Sequence, residues 1–245
     1  MAGHSKWANI KHQKAKADAK KGKLYSLLAK QIISAAKQGS PNPDTNTKLR
    51  TVITRAKAAG LPNDIIARNL AKASNKDQSD FADVTYELYG YGGVGIIIEA
   101  MTDNVNRAAA NLNVAIKKHG GSFAQPGSVV FNFKKIGIIR LKKSDTLDED
   151  TLFMAATEAL AEDFEFDSDG SIVITQPDTL MSVAGKLEAA GLLIESTEFE
   201  MVPNYTVDVT SEIAAQNQTL IDYIESLDEV DAIFHNMTTG TNPQG

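Results

Sequence analysis

The chain contains no cysteine, which excludes disulfides and thiolate metal sites and fits a reducing compartment. It also lacks any long apolar run. The richest, Val94 to Ile98, falls far short of the roughly 20 residues a membrane-spanning helix needs. The basic N-terminus has no apolar stretch of the kind a secretory signal carries. Its first arginine is Arg50, which argues against an arginine-rich transit peptide. The expectation from these absences is a cytoplasmic protein. The scarcity that matters most is of acid at one end. Residues 1–76 hold three acids (Asp18, Asp44 and Asp64) against sixteen Lys and Arg, a balance of +13. The rest of the chain holds nine Lys and Arg against twenty-eight acids, a balance of −19, so the overall −6 conceals two electrostatically opposite parts. Such asymmetry marks an acidic body with a basic arm that seeks a polyanion.

The arm opens Gly3-His4-Ser5-Lys6-Trp7-Ala8-Asn9-Ile10-Lys11-His12 and continues through Lys14, Lys16, Lys20, Lys21 and Lys23. After the initial Met, Trp7 and Ile10 are its only large apolar side chains before Leu24. Seven mutually repelling lysines and so little core material predict a mobile or weakly helical segment. A solvated tail is the plain reading of such a run. Against it, Trp7 offers a stacking face, Ser5, Asn9 and Gln13 can reach phosphates or base edges, and lysines at this density release counterions from a nucleic acid. The arm has no arginine, so bidentate guanine reading is not expected of it, and backbone positioning is.

At 245 residues the chain is long enough for one large domain or two to three small ones. The 3.6-residue period predicts three short helices: Leu24–Lys37, one around Leu49, Val52, Ile53 and Ala56, and one from Asn63-Asp64 that buries Ile66, Leu70 and Ala73. Arg68, Lys72 and Lys76 fall on one face of the third at i, i+4, i+8, and Arg50 and Lys57 share the second. A charged face is normal for any surface helix, but here almost no acid balances it. These five join His4, Ser5, Lys6, Trp7, Asn9, Lys11, His12, Lys14, Lys16, Lys20, Lys21 and Lys23 as candidate nucleic-acid contacts.

Beyond a linker at residues 75–80 the pattern becomes α+β. Val84–Tyr89 and Val94–Met101 read as paired strands, Asn104–His119 as a helix ended by Gly120-Gly121, and Val129–Phe133 as a further strand. From Ile136 the order is strand, helix, strand, an Asp169-Gly170 hairpin turn, strand, helix, strand. That is βαββαβ, the ferredoxin-like order. A helix (211–226) and a strand (232–237) follow and are expected back on the sheet of residues 84–133. The expected fold is therefore α+β multidomain: a basic arm and three-helix domain (1–80), an α+β middle domain (81–133 with 204–245), and a ferredoxin-like domain (134–203) inserted into it.

Two motifs imitate ligand sites. Gly90-Tyr91-Gly92-Gly93-Val94-Gly95 satisfies the dinucleotide fingerprint literally, but a strand follows where that site needs a helix, so a glycine hairpin is the better reading. Glu165-Phe166-Asp167-Ser168-Asp169-Gly170 imitates a calcium loop but begins with Glu and has Gln176 at its twelfth position. His4, His12, His119 and His235 show no metal spacing, and no nucleophile elbow, phosphate loop or zincin pattern occurs.

The arm's opening residues resemble the start of the YebC family, also called the translational activator of cytochrome oxidase family. Asn42-Pro43-Asp44, Asn46, Leu49-Arg50, Tyr89-Gly90-Tyr91-Gly92-Gly93-Val94, Thr102-Asp103-Asn104, Asn106-Arg107, Lys118-His119-Gly120-Gly121 and Gly127-Ser128-Val129 fit it in order. Leu88 stands where a Gly is common, and Phe123-Ala124-Gln125-Pro126 replaces a loop usually richer in small residues. The resemblance implies three domains, the third inserted into the second, in a DNA-binding probable transcriptional regulator. Mitochondrial and some bacterial relatives act instead in translation, in contact with RNA or the ribosome. The expectation is thus a non-enzymatic nucleic-acid-binding regulator with no metal or cofactor. Its partners would be DNA, or RNA and the ribosome, with a protein partner at the acidic domains and no membrane. An enzyme with a site between the second and third domains is the remote alternative.

Overall fold

The computed structural model describes residues 17–74, 80–144, 147–167 and 170–239, with side chains from Gly22 onward. Two compact units divide them. One falls within Met1–Leu28, Arg50–Ile66 and Lys135–Glu200, the other within Ala29–Leu49, Ala67–Lys134 and Met201–Gly245.

Three helices open the described chain: α1 (Ala17–Gln38), α2 (Thr47–Ala58) and α3 (Asn63–Ala73). Their apolar rows bury Leu28, Ile32 and Ala35 on α1, Leu49, Val52 and Ala56 on α2, and Ile66 on α3. Helix α1 begins seven residues before the expected Leu24, so the end of the arm is helical. Alanine and lysine are good helix formers there, and the apolar row ahead supplies the packing that a lone basic run lacks. The α1–α2 corner is organised by Asn46, which is buried. Its Nδ2 donates to the carbonyls of Ala35 and Ser40, both at 2.8 Å, and its Oδ1 accepts from Leu49 N–H at 3.0 Å, capping α2. In the other unit, the Tyr25 hydroxyl donates to the Gly60 carbonyl at 2.9 Å, tying α1 to the end of α2.

The second unit is built on β1 (Ala82–Tyr89), β2 (Gly95–Thr102), β3 (Ser122–Phe123) and β9 (Val230–His235), a four-stranded sheet of order β3-β1-β2-β9. Its pairs are antiparallel, with Ala82 opposite Thr102, Tyr89 opposite Gly95, and Ile96 opposite His235. The chain's tail therefore returns to this sheet. Helices α4 (Val105–His119) and α7 (Ser211–Glu225) supply Leu112, Ala115, Leu220, Ile221 and Ile224 to a core with Leu88, Ile96 and Ile98. Ile97 points to the opposite face and joins Val129, Phe133, Met201 and Phe234. A short parallel pair, β8 (Val207–Val209) with β10 (Met237–Thr239), was not expected.

The tyrosine–glycine run is a hairpin, as its flanking strands require. Gly90 N–H closes onto the Val94 carbonyl at 2.8 Å around a 3-10 turn, Tyr91–Gly93. Buried Asn217 clamps the turn, accepting from Tyr91 N–H at 2.8 Å and donating to the Tyr91 carbonyl at 3.0 Å. A Cβ on Gly90 would stand 2.3 Å from Asn217 Oδ1, so glycine is needed there.

In the other unit, β4 (Phe133–Leu141), α5 (Glu149–Ala159), β5 (Asp163–Glu165), β6 (Ile172–Thr175), α6 (Leu180–Ala189) and β7 (Ile194–Pro203) give βαββαβ with strand order β5-β6-β4-β7. Strand β6 pairs antiparallel with β4 and β5, and Ile139, Leu141, Leu152, Val173, Val183 and Leu187 lie in one core. Asp169 of the expected hairpin turn lies outside the described residues. The chain is thus an α+β multidomain protein with N-terminal helices and β-sheet domains.

The strand expected at Val129–Phe133 is not one. Residues Val130–Asn132 form a 3-10 turn and β4 starts at Phe133. The cause is Glu87, a carboxylate only 8% exposed on β1. It accepts N–H bonds from Gly127 at 2.5 Å, Val129 at 2.7 Å and Val130 at 2.8 Å, so those donors are withdrawn from any ladder. Burial alone would raise this carboxyl, but the bonds from Gly127, Val130 and Val129 outweigh it and hold Glu87 below its ordinary value. A carboxyl depressed on folding stabilises at pH above its ordinary value, and that contribution disappears as pH falls through the folded value. Glu87→Ala should lower unfolding stability by at least about 2 kcal/mol at pH 7, since it strands buried donors. Denaturant melts from pH 7 to 3 should show the wild type losing this contribution below its ordinary value of 4.5, with the variant's curve flatter over that window.

Candidate nucleic-acid interface

Of the arm, His4, Ser5, Lys6, Trp7, Asn9, Lys11, His12, Lys14 and Lys16 lie outside the described residues, as does Lys76. Lys20 and Lys21 lie within helix α1, where their backbone alone is described, and Lys23 is half-buried on the same helix. Arg50 and Lys57 are exposed on α2, at i and i+7 on one face of the helix. Arg68 and Lys72 are exposed on α3, one turn apart and so on one face.

Other cations of the helices have structural work. Lys30 Nζ meets Asp231 Oδ1 at 2.9 Å, with the aspartate side chain 5% exposed. The other oxygen of Asp231 accepts from Met101 N–H at 2.5 Å, so this pair joins α1 to β2 within one unit. Lys37 bridges to Asp80 at 2.7 Å. Lys48 donates to Gln38 at 2.8 Å. Arg55 is half-buried with its guanidinium 4.8 Å from the Phe199 ring centroid, and burial lowers its pKa. The sequence offers sixteen cations in residues 1–76 with nothing in the composition to sort them. Tertiary structure does the sorting: Lys30, Lys37 and Arg55 are drawn into contacts with distant parts of the chain, while Arg50, Lys57, Arg68 and Lys72 stay exposed.

Other motif residues are structural. Asn104 caps α4 by accepting from Arg107 N–H at 2.9 Å, and the Thr102 hydroxyl accepts from Asn104 N–H at 3.1 Å. Arg107 itself bridges to Asp103 at 2.7 Å and Glu229 at 2.9 Å. The hydrogen bond to Glu229 is the main reason its pKa lies above the ordinary value. The charge split also conceals two exposed lysines of the acidic part. Lys142 and Lys143 follow β4 and line an open cleft of about 320 Å³ with Ser144, Asp167 and Ser171. Their signal was the lysine pair after a strand. Among the described residues no group of His, Asp or Glu is arranged to hold a metal ion, and no helix is long and apolar enough to cross a membrane.

Comparison with known proteins gives consistent matches along the chain. Residues 5–76 match the model of the TACO1/YebC protein N-terminal domain, and residues 81–237 that of the TACO1/YebC second and third domain. A probable transcriptional regulatory protein of Protochlamydia amoebophila is 49% identical over 97% of this chain and 96% of its own. One from Chlamydia pneumoniae is 47% identical over 97% of this chain and all of its own length. The crystal structure of a conserved hypothetical protein from Aquifex aeolicus superposes with a TM-score of 0.78 at 35% identity, covering 98% of this chain and 100% of that one.

If Arg68, Lys72 and Lys76 meet phosphates, replacing all three by Gln should flatten the slope of log K against log salt by about 0.7–0.9 for each phosphate no longer neutralised. Fluorescence anisotropy across a salt series would measure it. Identical slopes would leave the stripe as a solvated helix face.

Proposed function

Since the chain belongs to the TACO1/YebC family, we propose that it is a non-enzymatic nucleic-acid-binding regulator of gene expression whose polyanion-binding part is residues 1–76. The observation that carries this is the +13 balance of that segment together with the exposure of Arg50 and Lys57 on α2 and of Arg68 and Lys72 on α3. The acidic remainder would repel a phosphate backbone, so the footprint is confined by charge. The Protochlamydia and Chlamydia relatives, probable transcriptional regulatory proteins, favour action in transcription, for which the polyanion would be DNA. The arm's composition favours action on RNA or the ribosome in translation: it carries a lone aromatic, Trp7, and no arginine, which suits backbone contact and stacking on unpaired bases.

For the architecture we propose three domains: 1–80, 81–133 with 204–245, and an inserted ferredoxin-like domain at 134–203. The strand order β5-β6-β4-β7 and a core drawn from residues within the insert support it. Expressed alone, residues 134–203 should unfold in one cooperative transition by circular dichroism. A disordered NMR spectrum would count against the insertion.

Removing residues 1–16, ahead of Ala17 where α1 starts, should weaken nucleic-acid binding strongly while leaving the melting temperature nearly unchanged. Unaltered binding would overturn the footprint. Trp7→Ala should cost about 1–3 kcal/mol on single-stranded or looped substrate and little on an intact duplex, whose bases are already stacked. A competition series with promoter duplex, single strands and ribosomal RNA separates the readings. Preference for a defined duplex, indifferent to Trp7→Ala, supports transcription. Preference for structured RNA or whole ribosomes, abolished by Trp7→Ala, moves the function to translation.

A further inference from the structure

The outer surface of α5 departs from what solubility and backbone geometry favour. Leu160 closes the helix in the left-handed conformation, at φ 64° and ψ 42°, and is the only non-glycine residue with positive φ among the described residues. Glycine is the residue that helix C-termini use there, because a Cβ is penalised. This leucine gains no core packing in return, for it is 76% exposed. It is not alone. Phe153 and Met154, 55% and 61% exposed, lie one to two turns back, and Phe153 sits at i−7 from Leu160 on the same face. Phe164 of β5, half-buried against the core of its own sheet, adjoins the patch with its ring centroid 6.0 Å from that of Phe153. The Thr157 hydroxyl, between Phe153 and Leu160, is turned back to the Phe153 carbonyl at 2.7 Å and so does not wet the stripe.

The stretch of chain that carries the stripe has charge of one sign. Residues 147–165 contain seven carboxylates and no Lys, Arg or His. Asp150 precedes Phe153 by one turn, Glu158 follows Met154 by one turn, and both are exposed. Lys186 of α6 lies near the end of the helix, its ammonium donating to the Ala159 carbonyl at 3.3 Å. An apolar stripe rimmed by carboxylates repels phosphates and complements a segment that is apolar on one face and cationic on the other.

We propose that Phe153, Met154, Leu160 and Phe164 form a docking surface for a lysine- or arginine-rich amphipathic segment of a protein partner. The strained leucine is retained because its side chain is buried in that complex. These four residues lie outside the basic segment 1–76, so partner docking and nucleic-acid binding can fail separately.

The test uses the full chain and three labelled synthetic peptides read by fluorescence anisotropy: an amphipathic helix of lysine and leucine, its glutamate–leucine counterpart, and a lysine–serine control. The lysine–leucine peptide should bind with salt-sensitive affinity and the other two should not. Leu160→Gly keeps every charge and relieves the backbone, so its melting temperature should not fall. It should nonetheless weaken the lysine–leucine peptide by at least about tenfold, because the apolar side chain it would bury is gone. Met154→Ser provides a second variant with the same expected weakening, and nucleic-acid binding should be unchanged in both. Equal peptide affinity in wild type and both variants would overturn the proposal, as would equal binding of the glutamate–leucine peptide. Self-association of the free chain abolished by Leu160→Gly would assign the surface to a second copy. Peptide binding seen only after removal of residues 1–16 would assign it to the chain's own arm. Either result would overturn a separate protein partner.

Discussion

The antiparallel pairing of β1 with β2 is the constraint on which the second unit depends. Its two faces are buried in two different places. Leu88, Ile96 and Ile98 enter the core made with α4 and α7, while Ile97 faces Val129, Phe133 and Phe234. A strand buried on both faces reads as a continuous apolar run, which is why Val94–Ile98 is the richest in the chain. Glu87, opposite Ile97 in the register, hangs the 127–130 loop on the same pair. The turn that joins the strands is locked by Asn217 of α7. A slip of one residue would reverse both faces together, so the hairpin fixes core, loop and helix contacts in one register.

Charge is managed at two scales. Along the chain, like charges are gathered so that one segment attracts polyanions and the remainder rejects them. Within the helices, individual cations are drawn inward by partners distant in sequence. The pair Lys30–Asp231 is 15% and 5% exposed in its side chains, so its value is positional: an uncompensated charge in that place would be costly.

Much of this was legible in the sequence because it rests on periodicity and punctuation. The helices, the glycine hairpin between β1 and β2, and the βαββαβ order all carry local signals. What escaped depends on distant atoms. The 3-10 turn at Val130–Asn132 has a strand-like sequence, and only a carboxylate more than forty residues upstream takes its donors. The early start of α1 is not legible in residues 17–23 themselves, whose lysines repel one another, because the apolar row that packs the helix lies farther along it. For the candidate site, the sequence supplied residue types and spacing. It could not say that Arg55 would meet Phe199 while Lys57, two residues on, would be exposed.

The middle sheet closes across a long stretch of chain. Ile96 of β2 is paired in register with His235 of β9, so the central strand has no neighbour on that side until β9 has been made. The βαββαβ module draws its strands from residues 133–203 and can assemble earlier during synthesis. In the interval β2 presents a bare, strongly apolar edge, the type of edge through which nascent chains associate wrongly. The strands of residues 133–203 lie in sequence between β2 and β9, so they are made before the last strand of this sheet. Strands whose partners are near in sequence can pair first, and the β3-β1-β2-β9 sheet is completed by β9.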